Sequence, residues 1–535
     1  MKKLIIALNL VLIVADANAQ YPTYGTVDSL PEFNLNWYNH SPDNTKISGV
    51  AVEKAYNELL KGKSPKKKII VAVIDSGVDT DHEDLAGNIW VNEDEIPENG
   101  IDDDSNGYVD DINGWNFLGG KDGSMITHES LEMTRIVRDF GAKFNGKSLA
   151  SIPSSEIENY NMYVKAKEEL ETQVNIFKNQ KDMFGSVADR YRFSVKLMEV
   201  ALQNENFTIE DLESYETEDS EKMQARNMVL KGKKSGFGDI ILEMINHIDE
   251  NLDYNLNVEF NAREAAGDDI YDINDRDYGN NNVEGDEADH GTFVSSMIAA
   301  TRGNGVGIEG IANNVEIMAL RAVPKGDEYD KDISLAIRYA VDNGANIINM
   351  SFGKGYSPNK EWVDEAMQYA ADNNVLLIHA AGNDSKNNDL DPSFPNDKTL
   401  DNQKISTWLE IGANSRDARK ALCGTFSNYG EKDVDLFAPG VDVVGCVPND
   451  EYAMLDGTSF ACPVTSGVAA LVWSYYPELT ALELKEILLE STYDKGKTKV
   501  IIPGEKRKKI KFRELSVTGG IVNAYNALRL AEQKS

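Results

Sequence analysis

Ile69-Ile70-Val71-Ala72-Val73-Ile74-Asp75-Ser76-Gly77 is the stretch on which the architecture turns. Its apolar run does not alternate with polar residues, so a strand built from it must be buried on both faces, as strands of a parallel sheet are. An acid and a glycine then end it with turn chemistry. Ile317 to Ala322, Ile347 to Phe352 and Val375 to Ala381 are nearly continuous apolar runs of the same kind, bounded by Gly, Asp or Asn. Between the later runs lie two amphipathic stretches, Asp332 to Asn343 and Glu361 to Asn373, that read as crossover helices. Strands alternating with helices predict an α/β fold, a layered sandwich around a mostly parallel sheet, with functional loops at the carboxyl ends of the strands.

Outside that alternation the chain changes character. From about Ser124 to Asn257 it is charged and helical in period. Leu170, Val174, Phe177, Phe184, Ala188, Tyr191, Val195, Met198 and Leu202 recur at spacings of four and three, interrupted at Lys181. The pattern predicts an amphipathic helix, or a helical hairpin turning near Gly185. The stripe reads first as a packing face, against its own partner helix or the main domain; docking of a protein partner is the other reading. The expected boundaries are 1–19 for a signal peptide, 20–65 for a short N-terminal segment, 66–123 and 258–535 for the two parts of the α/β domain, and 124–257 for an inserted α-helical module.

Lys2 and Lys3, the apolar run Leu4 to Val14 and the small residues Ala17-Asn18-Ala19 compose an export signal cleaved before Gln20. The run is too short to span a bilayer, and no later segment is long and apolar enough to do so, so membrane insertion is not expected. A periplasmic or extracellular location follows. The formal net charge of −35 disfavours nucleic acid and anionic membranes as partners and suits calcium. Of the three cysteines, Cys423 and Cys446 are free to pair in an oxidising compartment, though three buried thiols are equally compatible with the spacing.

Three local patterns carry chemistry. In Asp456-Gly457-Thr458-Ser459-Phe460-Ala461-Cys462-Pro463, the glycine permits a tight turn and the proline suits a helix's first turn. Ser459 is thereby set at the start of a buried helix of small residues, where free N–H groups can stabilise a developing oxyanion. Asp289-His290-Gly291-Thr292 opens another such helix, and Asp75 closes the first buried strand. Each alone has a bland reading as a cap or loop residue. Together they match a chemical need: a serine hydroxyl requires an imidazole base, and that base requires a carboxylate to fix its tautomer.

The order Asp, His, Ser within these contexts resembles the subtilisin-like serine peptidases, the subtilases, over about Lys66 to Asn116 and Asp286 to Ala527. The resemblance implies a subtilisin-like three-layer sandwich in which Asp75 orients His290, His290 is general base and then acid, and Ser459 is the nucleophile. It implies that Asn383 in Ala381-Gly382-Asn383 supplies an oxyanion donor beside the Ser459 N–H. Ser351-Phe352-Gly353 would pair with the substrate backbone as an extra strand, and Gly382 would line the pocket for the residue before the scissile bond. Phe293, Cys462 and Val464 depart from the family pattern, and the insertion sets His290 unusually far from Asp75.

Asp102, Asp104, Asn106, Tyr108 and Asp110 offer oxygens at loop positions 1, 3, 5, 7 and 9, with Gly107 at the sharp turn. This is the EF-hand rule, save that position 12 is Asn113. By the resemblance, Asp84 also ligates structural calcium. No catalytic metal is expected, since no His-Glu-x-x-His stretch exists. The expectation is a secreted serine endopeptidase acting on extended or unfolded proteins and peptides; the alternative is a non-catalytic, chaperone-like exported binding protein on the same scaffold.

Overall fold

The computed structural model describes residues 23–535; the signal peptide expected at 1–19 lies outside them. The chain divides into two compact units, one running to Thr127 and resuming at Ala262–Ser535, the other His128–Asn261.

The first unit is built on a nine-stranded sheet of β1 (Ile69–Asp75), β2 (Gly114–Asn116), β3 (Val315–Arg321), β4 (Ile347–Met350), β5 (Leu376–Ala380), β6 (Trp408–Asn414), β7 (Leu436–Pro439), β8 (Tyr493–Asp494) and β9 (Gly520–Ile521). Their order across the sheet is β8-β9-β7-β6-β5-β4-β1-β3-β2. All neighbours are parallel except β8 and β9. The fold is thus the predicted α/β sandwich around a mostly parallel sheet. β1 pairs with β3 from Ile69–Val315 to Asp75–Arg321 and with β4 on its other edge. Successive residues of β1 serve opposite layers, as a pleated strand requires. Val71 and Val73 join the core under the helices Asp289–Ala299 and Thr458–Tyr475. Ala72 and Ile74 join the core under Asp330–Asp342 and Lys360–Asp372. Burying each Val or Ile contributes about 1.5–3 kcal/mol, which explains why the run tolerates no polar residue before Asp75.

From β1 the chain adds β3 and β2 on one side and β4 to β7 on the other, so β1 and β4 meet at the switch point where open α/β sheets form their ligand-binding crevice. Asp75 ends β1 and Ser351 follows β4, so the crevice is flanked by predicted site residues. The basic stretch Lys495 to Arg513 forms a small hairpin, Lys499–Ile501 against Lys509–Lys511.

In the second unit the predicted stripe lies on one continuous helix, Ile157–Leu202, of 46 residues. No hairpin turn occurs at Gly185. A lone interior glycine costs only about 1 kcal/mol, and the stripe on both sides of it packs into one core. Phe177, Phe184, Ala188, Tyr191 and Met198 meet Val229, Ile241, Ile245 and Ile248 of the helices Ser220–Ser235 and Phe237–Glu250. The stripe is covered by its own unit's helices. Among the described residues, no helix is long and apolar enough to cross a membrane.

Candidate active site

Asp75 is almost fully buried, and its Oδ1 accepts the Ser76 N–H at 2.7 Å and faces His290 Nδ1 at 2.7 Å. His290 is the second residue of its helix, which can come this close to β1 only because residue 291 is glycine. A Cβ on Gly291 would stand 2.1 Å from the Gly77 carbonyl and 3.1 Å from the Asp75 Cβ. The His290 ring lies against Phe460, 5.5 Å between centroids, and Phe460 packs in turn on Phe293 at 4.2 Å. Phe293, one of the departures from the family pattern, therefore backs the residue that follows Ser459. Burial draws the His290 pKa down, but the charge and hydrogen bond of Asp75 outweigh it, leaving it above the ordinary value.

Ser459 is the second residue of the helix Thr458–Tyr475, where its N–H has no partner one turn back. Pro463 sits inside this helix instead of in its first turn. Lacking an N–H, it cannot donate to the carbonyl four residues earlier, which belongs to Ser459. The Ser351 hydroxyl fills that role at 2.8 Å, and the Ser459 hydroxyl donates to the Ser351 carbonyl at 3.1 Å. This reciprocal pair ties the end of β4 to the start of the Ser459 helix. Among the described residues, no hydrogen bond joins His290 to Ser459.

Asn383 follows β5 through Gly382, whose φ of +104° suits glycine. Its Oδ1 accepts both the N–H and the hydroxyl of Thr458, each at 2.9 Å, and the Thr458 hydroxyl accepts the Gly382 N–H at 3.1 Å. With Oδ1 committed twice, the amide can present only its NH2 to the crevice. Thr458 thus fixes which end of Asn383 is offered, a part sequence reasoning missed although it adjoins Ser459. Phe352 and Gly353 continue from Ser351, and Lys354 exchanges two backbone hydrogen bonds with Phe394, both 2.9 Å. Cys462 is fully buried, its Sγ 3.2 Å from Asn349 Oδ1. Cys423, Cys446 and Cys462 are all free and buried, and burial pushes each thiol up.

The acidic loop is arranged differently from the linear rule. Ligand atoms of Glu95, Asp104 and Asp111 lie within 4.8 Å of one another. Asp102 instead receives the Asn106 and Gly107 N–H groups at 3.0 and 2.9 Å and shapes the turn. Asp110 turns away to the Asn99 and Gly100 N–H groups at 3.1 and 2.9 Å. Asn106 donates to Asp104 and Asp111, and the Tyr108 ring is buried against Trp115 and Tyr339. Burial pushes the Asp111 carboxyl up to about 6, against the pull of its Tyr339 hydrogen bond. Asp84 is fully buried and accepts the Asn304 side-chain amide and the Ile308 N–H, each at 2.8 Å.

An acid at a strand end, an imidazole on it, a serine at a helix start and an oriented amide form the layout of the Asp–His–Ser hydrolases. The chain belongs to the Subtilase family, whose profile matches residues 66–509. It is 34% identical to the thermophilic serine proteinase of Bacillus sp. (strain AK1), over 42% of this chain and 51% of that protein. It is 34% identical to the cell wall-associated protease of Bacillus subtilis (strain 168), over 40% of this chain and 22% of that protein. Subtilisin DY of Bacillus licheniformis is 32% identical over 39% of this chain and 71% of its own length. The chain spans about half the length of the first of these relatives and less of the second.

Proposed function

We propose that this chain is an exported serine endopeptidase that hydrolyses extended or unfolded polypeptides through an acyl-enzyme. The observation that carries the reading is the 2.7 Å contact between His290 Nδ1 and the buried Asp75 carboxylate, on a ring that also lies against Phe460, the residue after the helix-start Ser459. With Nδ1–H held by Asp75, Nε2 is left as the base. The Ser459 hydroxyl leaves the Ser351 carbonyl, gives its proton to His290 Nε2 and attacks the peptide carbonyl. The oxyanion forms against the Ser459 N–H and the Asn383 NH2. His290 then hands the proton to the departing amine, and water, deprotonated by the same ring, releases the acyl group. Ser351–Gly353 would pair with the substrate backbone, which requires an extended chain. A fluorophosphonate probe should label Ser459 stoichiometrically and stop peptide cleavage; an unlabelled, fully folded protein would rule the reading out.

Only neutral His290 can accept the proton, so activity rises with pH through its raised pKa. The acid limb of kcat/KM is expected above about pH 6.5. In Asp75→Asn, burial acts on the ring without the opposing charge, and the residual activity should show the limb displaced to lower pH. Rate–pH profiles of both proteins check the sign.

The convergent carboxylates fit a hard cation, with Glu95, Asp104 and Asp111 as its holders in the acidic loop and Asp84 at a second position. Such an ion would cross-link loops and offset the burial of Asp111; it takes no part in catalysis. Melting with chelator and then with about 1 mM calcium should show Tm rising by at least about 3 °C on calcium addition. Identical melting curves would remove the ion from the account. A protein partner for the helical unit stays the secondary reading.

A further inference from the structure

The peptidase reading leaves the basic hairpin unexplained. Between Lys495 and Arg513 stand nine lysines and arginines and a single acid, Glu505, in a chain whose net charge is −35. The hairpin is no loose tail. Val500 and Phe512 are fully buried in a core shared with Ala381, Cys423 and Phe437, and the Phe512 and Phe437 ring centroids lie 4.8 Å apart. Two backbone bonds fasten it to the wall of a cleft. The Gly504 N–H donates to the Thr425 carbonyl at 2.9 Å, and the Ile501 N–H to the Lys420 carbonyl at 3.3 Å. That cleft, of about 570 Å³, is lined by Asn383 and Asp456 towards the catalytic serine and by Thr425 and Phe426 on the hairpin's side.

Its charges are held together at a cost. Antiparallel pairing sets Lys499 directly opposite Lys511, with Lys509 next along the same face, and like charges so placed repel. Lys497, Lys499, Arg507, Lys508, Lys509 and Lys511 are all exposed, and among the described residues none of them forms an ion pair. With 89 acids in the chain, acidic neighbours are not scarce; the hairpin turns its cations outward, towards an anion that the protein does not itself provide. A nucleic acid or an anionic membrane would also press on the acidic remainder of the surface, which repels it. A short acidic run would not. Screening limits the reach of a charge to about 8 Å at physiological ionic strength, so such a run feels the hairpin alone.

We infer that the hairpin is a docking surface for an acidic stretch of the substrate polypeptide, lying on the carboxyl side of the scissile bond. The inference rests on the peptidase reading above. Asn383 marks the scissile carbonyl, and none of the residues lining the cleft belongs to Ser351–Gly353, so a chain paired along that segment enters the cleft beyond the cut. Carboxylates arriving there supply the counter-ions that Lys499, Lys509 and Lys511 lack. The contact is the same in ground and transition states, so it lowers KM and leaves kcat nearly unchanged. The sign of the effect is diagnostic, because a surface of this net charge without the hairpin would turn acidic chains away.

The test uses the full chain and internally quenched peptides that share one cleavage sequence. Each carries a run of about six Glu or Gln residues, after the cut or before it, long enough at about 3.3 Å per residue to lie along the hairpin. At about 10 mM salt, kcat/KM is expected to be at least about tenfold higher for the Glu run after the cut than for the Gln run, through KM. At about 1 M salt the ratio should fall below about twofold. Replacing three exposed cations together, Lys499→Gln, Lys509→Gln and Lys511→Gln, should abolish the ratio, leave the Gln peptide within about twofold and not lower Tm. Equal values for the Glu and Gln runs, an equal gain from the run before the cut, or an undiminished ratio in the variant would overturn the inference. So would wild-type binding to phosphatidylglycerol vesicles without any Glu preference, which assigns the hairpin to a membrane surface. Should the variant not fold, the salt dependence of the wild-type ratio decides. Fluorescence anisotropy with Ser459→Ala reads docking without chemistry: the labelled Glu-run peptide must bind more tightly than the Gln-run peptide, and equal or reversed affinities sink the assignment. A wild type that takes up no fluorophosphonate and cleaves no peptide counts against the peptidase reading instead, and the anisotropy comparison still judges the hairpin.

Discussion

Peptide cleavage by the Ser459→Ala protein is expected to fall by about a million-fold in kcat, with the fold intact. Nucleophile and base act as one unit, so removing either forfeits nearly everything the pair supplies. The structural price is small by comparison. Ser459 Oγ makes one hydrogen bond, to the Ser351 carbonyl, while the bond that compensates Pro463 runs the other way, from the Ser351 hydroxyl, and survives the substitution. One lost hydrogen bond is worth about 0.5–1.5 kcal/mol, so Tm should drop by no more than a few degrees. Measured together, kcat and Tm separate chemistry from stability. Undiminished cleavage by a folded Ser459→Ala protein would transfer the activity to another site altogether.

How far the sequence carried this reading depended on how local each signal was. Asp75 was legible because the apolar run before it dictates a strand buried on both faces, and the first polar residue after such a strand has to lie at its end. His290 and Ser459 were legible from their small-residue helices. The orientation of Asn383 was not, because it depends on Thr458 reaching across from another segment, although Thr458 adjoins the serine. Pro463 pointed to a first helical turn, yet it lies deeper, because the Ser351 hydroxyl satisfies the carbonyl that proline leaves without a donor. The acidic loop shows the same limit. A rule that counts positions along one loop cannot find Glu95, which belongs to a preceding turn, nor foresee Asp110 being spent on Asn99 and Gly100. Gly185 looked like a turn only because a glycine's local cost is visible in sequence and the shared core on both sides of it is not. The His379–Glu410 pair is wholly tertiary, joining two strands across β5 and β6, and nothing in its spacing announces it.

Asn383→Ala should lower kcat by about 100- to 1,000-fold with KM changed little, the cost of one oxyanion donor. The donor acts on charge that exists only at the tetrahedral stage, so ground-state binding along Ser351–Gly353 is left alone. Asn383 is exposed, and among the described residues its side chain makes hydrogen bonds only to Thr458, so the truncation opens no buried cavity. The Thr458 N–H and hydroxyl lose their acceptor, which loosens the turn locally but leaves the helix and the Ser351 pair in place. Asn383→Asp is the sharper control. The same Oδ1 can still accept from Thr458, so geometry persists, yet the atom facing the crevice becomes a carboxylate oxygen that repels the oxyanion. It should therefore fall at least as far as the alanine variant while melting at the wild-type temperature. If Asn383→Asp retains full kcat, the NH2 is not an oxyanion donor, and the stabilisation must come from the Ser459 N–H and the helix start behind it.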